Sequence, residues 1–446
     1  MMQVGVPQPR ARALLAKLFR AGLQAVDPYE ALCRRVSLRR GQLTIGSHRY
    51  SLKRIRRIVV VGAGKASARM AQALEHQLGA RIDAGLVVVK YGHAAPTKAI
   101  RIVEAGHPIP DAAGLQASRK ILGLVKTLTA DDLLIVLLSG GASSLLPAPV
   151  SGISLKDKQQ TTKLLLRSGA TIHEINAVRK HLSYVKGGQL AAATPARVAA
   201  VILSDVIGND LGTIGSGPTA PDPTTFQEAW EIVSRYGVSR TVPLSVRRRL
   251  ETGMKRGVAE TPKPRDPLFG RVDNILIGDN QAAVDAVVAS AKQQGLGTLV
   301  LSTTLTGEAR ELAKMFGAMA REIAAQGRPI QRPCCVIAGG EPTVTVRGEG
   351  TGGRAQEFAL AAAAEIAGLP NIWVAGFATD GTDGPTSVAG AVVDGGTVAR
   401  AHRSKLSLSR ALLDNDAYPV FEKLRGHIVT GPTGTNVNDL YLLLAL

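Results

Sequence analysis

From residue 58 onward the chain alternates short runs of Val, Ile and Leu with stretches of helical periodicity, the pattern of a parallel sheet covered by helices. The runs predict strands at 58–61, 85–89, 100–104, 133–138, 198–203, 274–277, 298–301, 335–338 and 372–375. Helices fall between most of them, so the fold class is α/β. A chain of 446 residues exceeds one compact core, and two domains are expected. Residues 252–273 carry Pro262, Pro264, Pro267, three glycines and several cations, and read as an exposed connection. The expected domains are therefore 1–250 and a smaller one at 273–446. The sequence shows no repeat and no low-complexity tract.

With 45% apolar and 20% charged residues the composition is that of a folded globular protein. No apolar run approaches the roughly 18 residues that cross a bilayer, so an integral membrane protein is excluded. Cys33, Cys334 and Cys335 have no metal-ligand spacing, and the adjacent pair cannot easily bridge, which suits a reducing cytoplasm. Arg10, Arg12, Lys17 and Arg20 raise a transit segment, but Leu14, Leu15, Leu18, Phe19, Gly22, Leu23 and Val26 repeat at helical spacing up to Asp27-Pro28 and describe a packed first helix.

The net charge of +19 raises nucleic-acid binding. The cations gather in 34–57 and 247–265 without interleaved aromatics, and aromatic residues make up only 4% of the chain. No stacking platform, zinc-finger spacing or RNA-binding motif is present, so no nucleic-acid partner is expected; a solvated basic surface that draws in anionic metabolites is preferred.

The strand at 58–61 runs into Gly62-Ala63-Gly64-Lys65-Ala66-Ser67 and a helix, a geometry that offers backbone N–H groups to an anion. As a dinucleotide fingerprint it fails, because Ser67 replaces the third glycine and the next strand ends at Lys90 instead of an acid. As a Walker A loop it fails at Val59 and Ala66. What remains is Lys65 at an anion-binding turn, with Gly62 and Gly64 as nucleotide-binding candidates. Ser139-Gly140-Gly141-Ala142-Ser143-Ser144 follows the strand at 133–138, at the sheet edge where α/β proteins bind ligands, and lacks a nucleophile elbow. Ser139, Gly140, Gly141 and Ser143 are substrate-binding candidates. Asn176, Arg179, Lys180 and Ser183 share a helix face, and with Lys186-Gly187-Gly188 they suit a carboxylate or phosphate clamp, which adds Arg179 and Lys180.

Acids beside glycines at strand ends suit Mg²⁺ and nucleotide phosphate. Asp205 and Asp210, followed by Gly215 and Gly217, have this pattern, as do Asp380 and Asp383; Asp205, Gly215, Gly217, Glu341 and Asn436 are further nucleotide-binding candidates. Arg354, after Gly352-Gly353 at a helix start, can neutralise charge on a transferring phosphoryl group.

Taken together, 61–66, 106–108, 138–143, 176–181, 204–206, 215–219, 353–357, 380–384 and 435–439 resemble the glycerate 2-kinase family (class II glycerate kinases), whose C-terminal half is called the MOFRL domain. The resemblance covers nearly the whole chain. It implies a Rossmann-like N-terminal domain with a parallel sheet, a second, smaller mixed-sheet α/β domain, and an active site in the cleft between them. It also implies catalysis by Lys65 and Arg354. The sequence departs from the family's pattern at Asn209, where an aspartate is usual, and at Ser387, where another acid is common; Asp205, Asp210, Asp380, Asp383 and Asp439 remain as acids for a metal. The expectation is Mg²⁺-assisted phosphorylation of D-glycerate by ATP to 2-phosphoglycerate, with an assembly of identical copies left open. The competing readings are a hydroxypyruvate reductase and a non-catalytic nucleotide- or anion-binding regulator.

Overall fold

The structure, a computed structural model, describes residues 2–446. It forms two compact units, one made of residues up to Asp27 together with Gly278–Leu446, the other of Pro28–Ile277. The second unit is an insertion in the first.

Strand β1 (Gln3–Val4) and the helix Pro9–Ala25 open the chain. Strands β2 (Val36–Arg39), β3 (Gln42–Ile45) and β4 (His48–Ser51) form an antiparallel meander. The main sheet of the inserted unit comprises β5 (Ile58–Ala63), β6 (Ala84–Lys90), β7 (Ile100–Ala105), β8 (Leu133–Leu138), β9 (Arg197–Leu203) and β10 (Val272–Gly278), in the order β10-β9-β8-β5-β6-β7. The five strands from β9 to β7 are parallel. Every residue of β5 and β8 is buried, because a central strand covered by helices on both faces has no side that tolerates a polar residue. From β5 the chain steps outward through β6 and β7, then returns to the opposite side of β5 with β8 and β9. That reversal leaves a crevice at the carboxyl ends of β5 and β8, where open α/β sheets take their ligands.

A helical layer made of Leu155–Arg167, Ile172–His181, Phe226–Arg235 and Leu244–Met254 has its own apolar core around Leu165, Val178, Phe226 and Leu250. Reciprocal capping boxes, Ser154 with Asp157, Thr171 with Glu174 and Thr225 with Glu228, fix where three of these helices begin.

The other unit is built on β11 (Gly297–Leu305), β12 (Cys334–Gly340), β13 (Ile372–Ala378), β14 (Gly390–Asp394), β15 (His427–Val429) and β16 (Asp439–Ala445), joined by β1, in the order β1-β15-β14-β13-β16-β12-β11. Only β11 and β12 are parallel, so the sheet is mixed. Its core includes Phe316, Phe358 and Tyr441, stacked edge to face.

The expected α/β class with a parallel and a mixed sheet is the observed one. Three differences matter. The first helix is packed as expected, with Leu15, Leu18 and Phe19 buried, but it belongs with the C-terminal residues, since Gly22 lies where a Cβ would meet Leu440 at 3.0 Å and Val287 at 3.2 Å. The division falls at Ile277/Gly278, beyond the expected connection. That connection is not simply exposed: Thr261 is buried and donates to Asp222 Oδ2 at 2.9 Å, and Glu260 accepts from Phe226 N at 2.9 Å, which fastens the segment to the helical layer. Among the described residues no helix is long and apolar enough to cross a membrane.

Candidate active site

At the crevice of the inserted unit the turn after β5 is drawn tightly onto the turn after β8. Gly62 would place a Cβ 2.2 Å from Leu137 O, and Gly64, at φ 140°, would place one 2.1 Å from Ser139 Oγ. Both glycines therefore serve this close approach. Ser139 is likewise internal: its hydroxyl, 1% exposed, accepts from Ala66 N at 3.0 Å and pairs with Ser67 Oγ at 3.0 Å. It caps the helix Ser67–Leu78, whose own N-cap residue, Ala66, has no side-chain acceptor.

The same packing projects Lys65 outward. Its backbone is fixed at both ends, N–H to Gly140 O at 2.8 Å and C=O to His93 Nδ1 at 3.1 Å. Among the described residues its ammonium has no hydrogen-bond or ion-pair partner, and the side chain is half-buried. His107 lies across the turn, with its ring 2.9 Å from the Cβ position of Gly141 and Lys65 Cγ 3.6 Å from it. Burial, then the charges of Lys65, Lys90 and His93, lower the His107 pKa to about 4, so the ring is neutral near pH 7. Sequence reasoning kept Gly106-His107-Pro108 only as part of a motif. Gly140 makes room for an acid, because a Cβ there would sit 2.1 Å from Asp205 Oδ2.

Ser143 starts a polar chain running into the helical layer. Its Oγ is 2.6 Å from Ser216 Oγ, which donates to Asn176 Oδ1 at 2.9 Å, while Lys186 Nζ donates to Ser143 O at 2.6 Å and to Ser143 Oγ at 3.1 Å. Gly215 and Gly217 hold this loop in place, with φ of 59° and 66° and with Gly187 and Gly188 donating to Ser216 O and Gly217 O. Local turn geometry thus accounts for both. Arg179 borders the chain, whereas Lys180 is engaged in a buried pair with Asp222 at 3.2 Å and has no charge to spare for a ligand.

In the other unit Arg354 begins the helix Arg354–Glu365. Its Nε and Nη2 donate to Asp439 at 2.5 and 3.2 Å, and Nη1 donates to Glu341 Oε1 at 2.8 Å. Burial acts to lower its pKa, but the two carboxylates outweigh this and hold the guanidinium above the ordinary arginine value. Asp439 is buried in β16, receives Tyr441 OH at 2.9 Å, and has its pKa pushed up by burial to about 7 against the pull of Arg354. Asp383 accepts from Ala355 N at 3.0 Å and Gln356 N at 2.8 Å, so it orients the start of the arginine's helix. Asn436 Oδ1 accepts from Asn438 N at 3.2 Å and braces its own turn.

The four acids expected at a metal are two from each unit. Asp205 and Asp210 belong to one unit and Asp380 and Asp383 to the other, and no group of three or more acids, histidines or cysteines placed to hold an ion exists among the described residues. Asp210 and Asp380 bond back to their own loops, at Gly212 N and Thr382 N, and Asp383 is occupied by its helix. Asp205 lies at the crevice beside Gly140 and has partners of its own within the chain; a carboxylate at that edge suits Mg²⁺ by type and place. That ion usually takes one or two carboxylates and completes its shell with phosphate oxygens and water.

Residues 14–251 match the family described as "Domain of unknown function (DUF4147)" and residues 334–439 the "MOFRL family". A Pyrococcus horikoshii protein named glycerate 2-kinase is 39% identical over 434 residues, covering 97% of each chain. An Agrobacterium vitis protein named putative hydroxypyruvate reductase is 40% identical over 438 residues, covering 97% of this chain and 94% of its own. The crystal structure titled glycerate kinase from Thermotoga maritima superposes with a TM-score of 0.88 at 38% identity, over 98% of this chain and all (100%) of that one. The unpartnered lysine at the crevice of a parallel sheet, the arginine held by its carboxylates in a mixed one and these similarities lead to one conclusion: the chain belongs to the glycerate 2-kinase (MOFRL) family.

Proposed function

We propose that the chain transfers the γ-phosphoryl group of ATP to the C2 hydroxyl of D-glycerate, giving 2-phosphoglycerate. The observation that carries the reading is Lys65, a cation whose ammonium has no partner among the described residues, held by its backbone at the edge of the sheet where ligands bind in such folds. The relatives named glycerate kinase support the substrate.

Lys65 and Arg354 are each assigned a catalytic role, as fixed positive charge of the kind that stabilises charge spread over the equatorial oxygens of a transferring phosphoryl group. Asp439 holds two of the guanidinium nitrogens and leaves Nη1, bound only to a Glu341 side chain that is 44% exposed, as the edge a ligand reaches. Neutral His107, across the turn from Lys65, adds no competing charge. Asp205 would hold Mg²⁺, which when bound neutralises nucleotide oxygens and fixes their geometry. The acceptor is assigned to the part of the loop at 139–144 around Ser143 and to Arg179.

The test is purified protein with ATP, Mg²⁺ and D-glycerate, with the phosphoglycerate isomer identified by NMR. The expected product is 2-phosphoglycerate, and Lys65→Ala should lower kcat about 10²-fold with an unchanged melting temperature. No ADP formation, or full turnover by Lys65→Ala, would overturn the reading. The name of the Agrobacterium relative favours a reductase as the second reading, which predicts oxidation of NADH on addition of hydroxypyruvate. Against it, Ser67 occupies the third glycine position and is buried against Leu137 and Ser139.

A further inference from the structure

Three cations in the inserted unit lie together without an acid to offset them. Lys186 is 1% exposed, and its ammonium contacts only Ser143. Lys158, also buried, donates to the carbonyl of Pro147. Arg179 is half-buried and has no hydrogen-bond or ion-pair partner among the described residues. Burial, followed by the charges of Lys158 and Arg179, pushes the Lys186 ammonium well below its ordinary pKa; burial and the charge of Arg179 do the same to Lys158. The surrounding acids are engaged elsewhere. Asp222 serves Lys180, Thr224 and Thr261, Asp157 caps its helix, Glu174 serves Thr171, Arg235 and Tyr236, and Glu260 pairs with His181.

Buried cations are ordinarily paired, so a cluster whose only acceptors are neutral is built to take an anion from outside. The planar fork of Arg179 matches a carboxylate with two parallel hydrogen bonds. The hydroxyls of Ser143 and Ser216, 2.6 Å apart, supply donors and acceptors for a substrate that also carries hydroxyl groups. Ser143 is two residues from Gly141, whose Cβ position lies 3.6 Å from Lys65 Cγ, so the cluster adjoins the catalytic lysine within the same unit.

We infer that Arg179, backed by Lys186 and Lys158, receives the carboxylate of the acceptor and is the reason the acceptor must be an acid. The inference rests on the reading above that the acceptor is a short hydroxy acid. It moves the acceptor's anchor away from Ser139 and Lys180, whose polar groups are engaged in the fold.

The experiment is calorimetric titration of the full-length chain with D-glycerate without nucleotide, paired with steady-state kinetics, for wild type, Arg179→Lys and Arg179→Gln, with glycerol as the acceptor that lacks the carboxylate. Arg179→Gln should weaken D-glycerate binding about 30-fold, the loss of a charge-assisted pair, and raise its KM in proportion. KM for ATP should stay within about twofold, and Arg179→Lys should fall between, because a point charge replaces the fork. None of the three proteins should bind glycerol. Wild-type affinity in both variants, or glycerol bound as well as glycerate, overturns the inference. Should Arg179→Gln fail to fold, Arg179→Lys and the glycerol comparison still decide. Phosphorylation indifferent to Arg179 removes the subsite and leaves the kinase reading standing. Arg179-dependent binding of glycerate without phosphoglycerate formation removes the kinase reading and leaves the subsite. Absence of both removes both.

Discussion

Replacing Arg354 by alanine should destabilise the Gly278–Leu446 unit in a manner that depends on pH. Asp439 is 1% exposed, in a strand flanked by β12 and β13, and Arg354 is its cationic partner. Burial already lifts this carboxyl to about 7 while the guanidinium pulls the other way, so removal of Arg354 lifts it further. A carboxyl whose pKa is raised on folding binds more protons in the folded state, and stability falls as pH rises from the unfolded value of about 4 to the folded one. In wild type the fall ends near pH 7; in the variant it continues. The gap should therefore be small at pH 6 and widen by about 1.4 kcal/mol per pH unit above pH 7. It should level off near about 3 kcal/mol, the lower end for a broken buried pair, because Arg354 itself is partly exposed. Urea unfolding followed by the fluorescence of Trp373 in a Trp230→Phe background isolates the relevant unit, since Trp373 is buried in β13 beside β16. A gap that does not change between pH 6 and 9 would refute the reasoning, as would an Arg354→Ala/Asp439→Asn double variant no more stable at pH 9 than Arg354→Ala.

Ser139→Ala should cost about 1 kcal/mol through the uncapped Ala66 N–H and leave the KM for glycerate unchanged; a raised KM with full stability would return the serine to the substrate. Gly140→Ala drives a methyl group into Asp205 and should raise the Mg²⁺ concentration for half-maximal turnover at least about tenfold; an unchanged Mg²⁺ dependence would remove Asp205 from the metal. The His107 ring should titrate near pH 4 by NMR. Because its pKa is depressed on folding, it should lower stability as pH falls from about 6.5 toward 4, a component that His107→Gln removes; a midpoint near 6.5 would show the ring to be solvated.

The parallel sheet was legible because β5 and β8 are unbroken apolar runs, which only a strand covered on both faces requires. The run at Asp439–Ala445 is just as buried, but nothing local announces that it returns antiparallel between β12 and β13. The short β14 and β15 and the meander β2–β4 carry too few residues for their alternation to stand out. For the site, Lys65 was legible because a cation after a strand-end glycine turn has few local uses. Asp383 was misleading: its Asp-Gly-Thr-Asp setting looks like a metal loop, while its partner, the helix at Arg354, lies some thirty residues away. Lys186 was noted for the glycines after it, but its isolation from acids, like that of Lys158, depends on long-range packing. A lysine is normally assigned to the surface.

The insertion has a consequence for how the polypeptide comes to be assembled. The opening segment contributes β1 to an edge shared with β15, a helix against Asn280–Gln293, and the carbonyl of Val26 to Thr435. During synthesis it leaves the ribosome about 250 to about 420 residues before these docking sites exist, whereas the inserted unit is contiguous and can fold as soon as it emerges. A fragment beginning at Gly278 would lack a strand and a helix of its own architecture, and supplying residues 2–27 as a separate peptide should restore them.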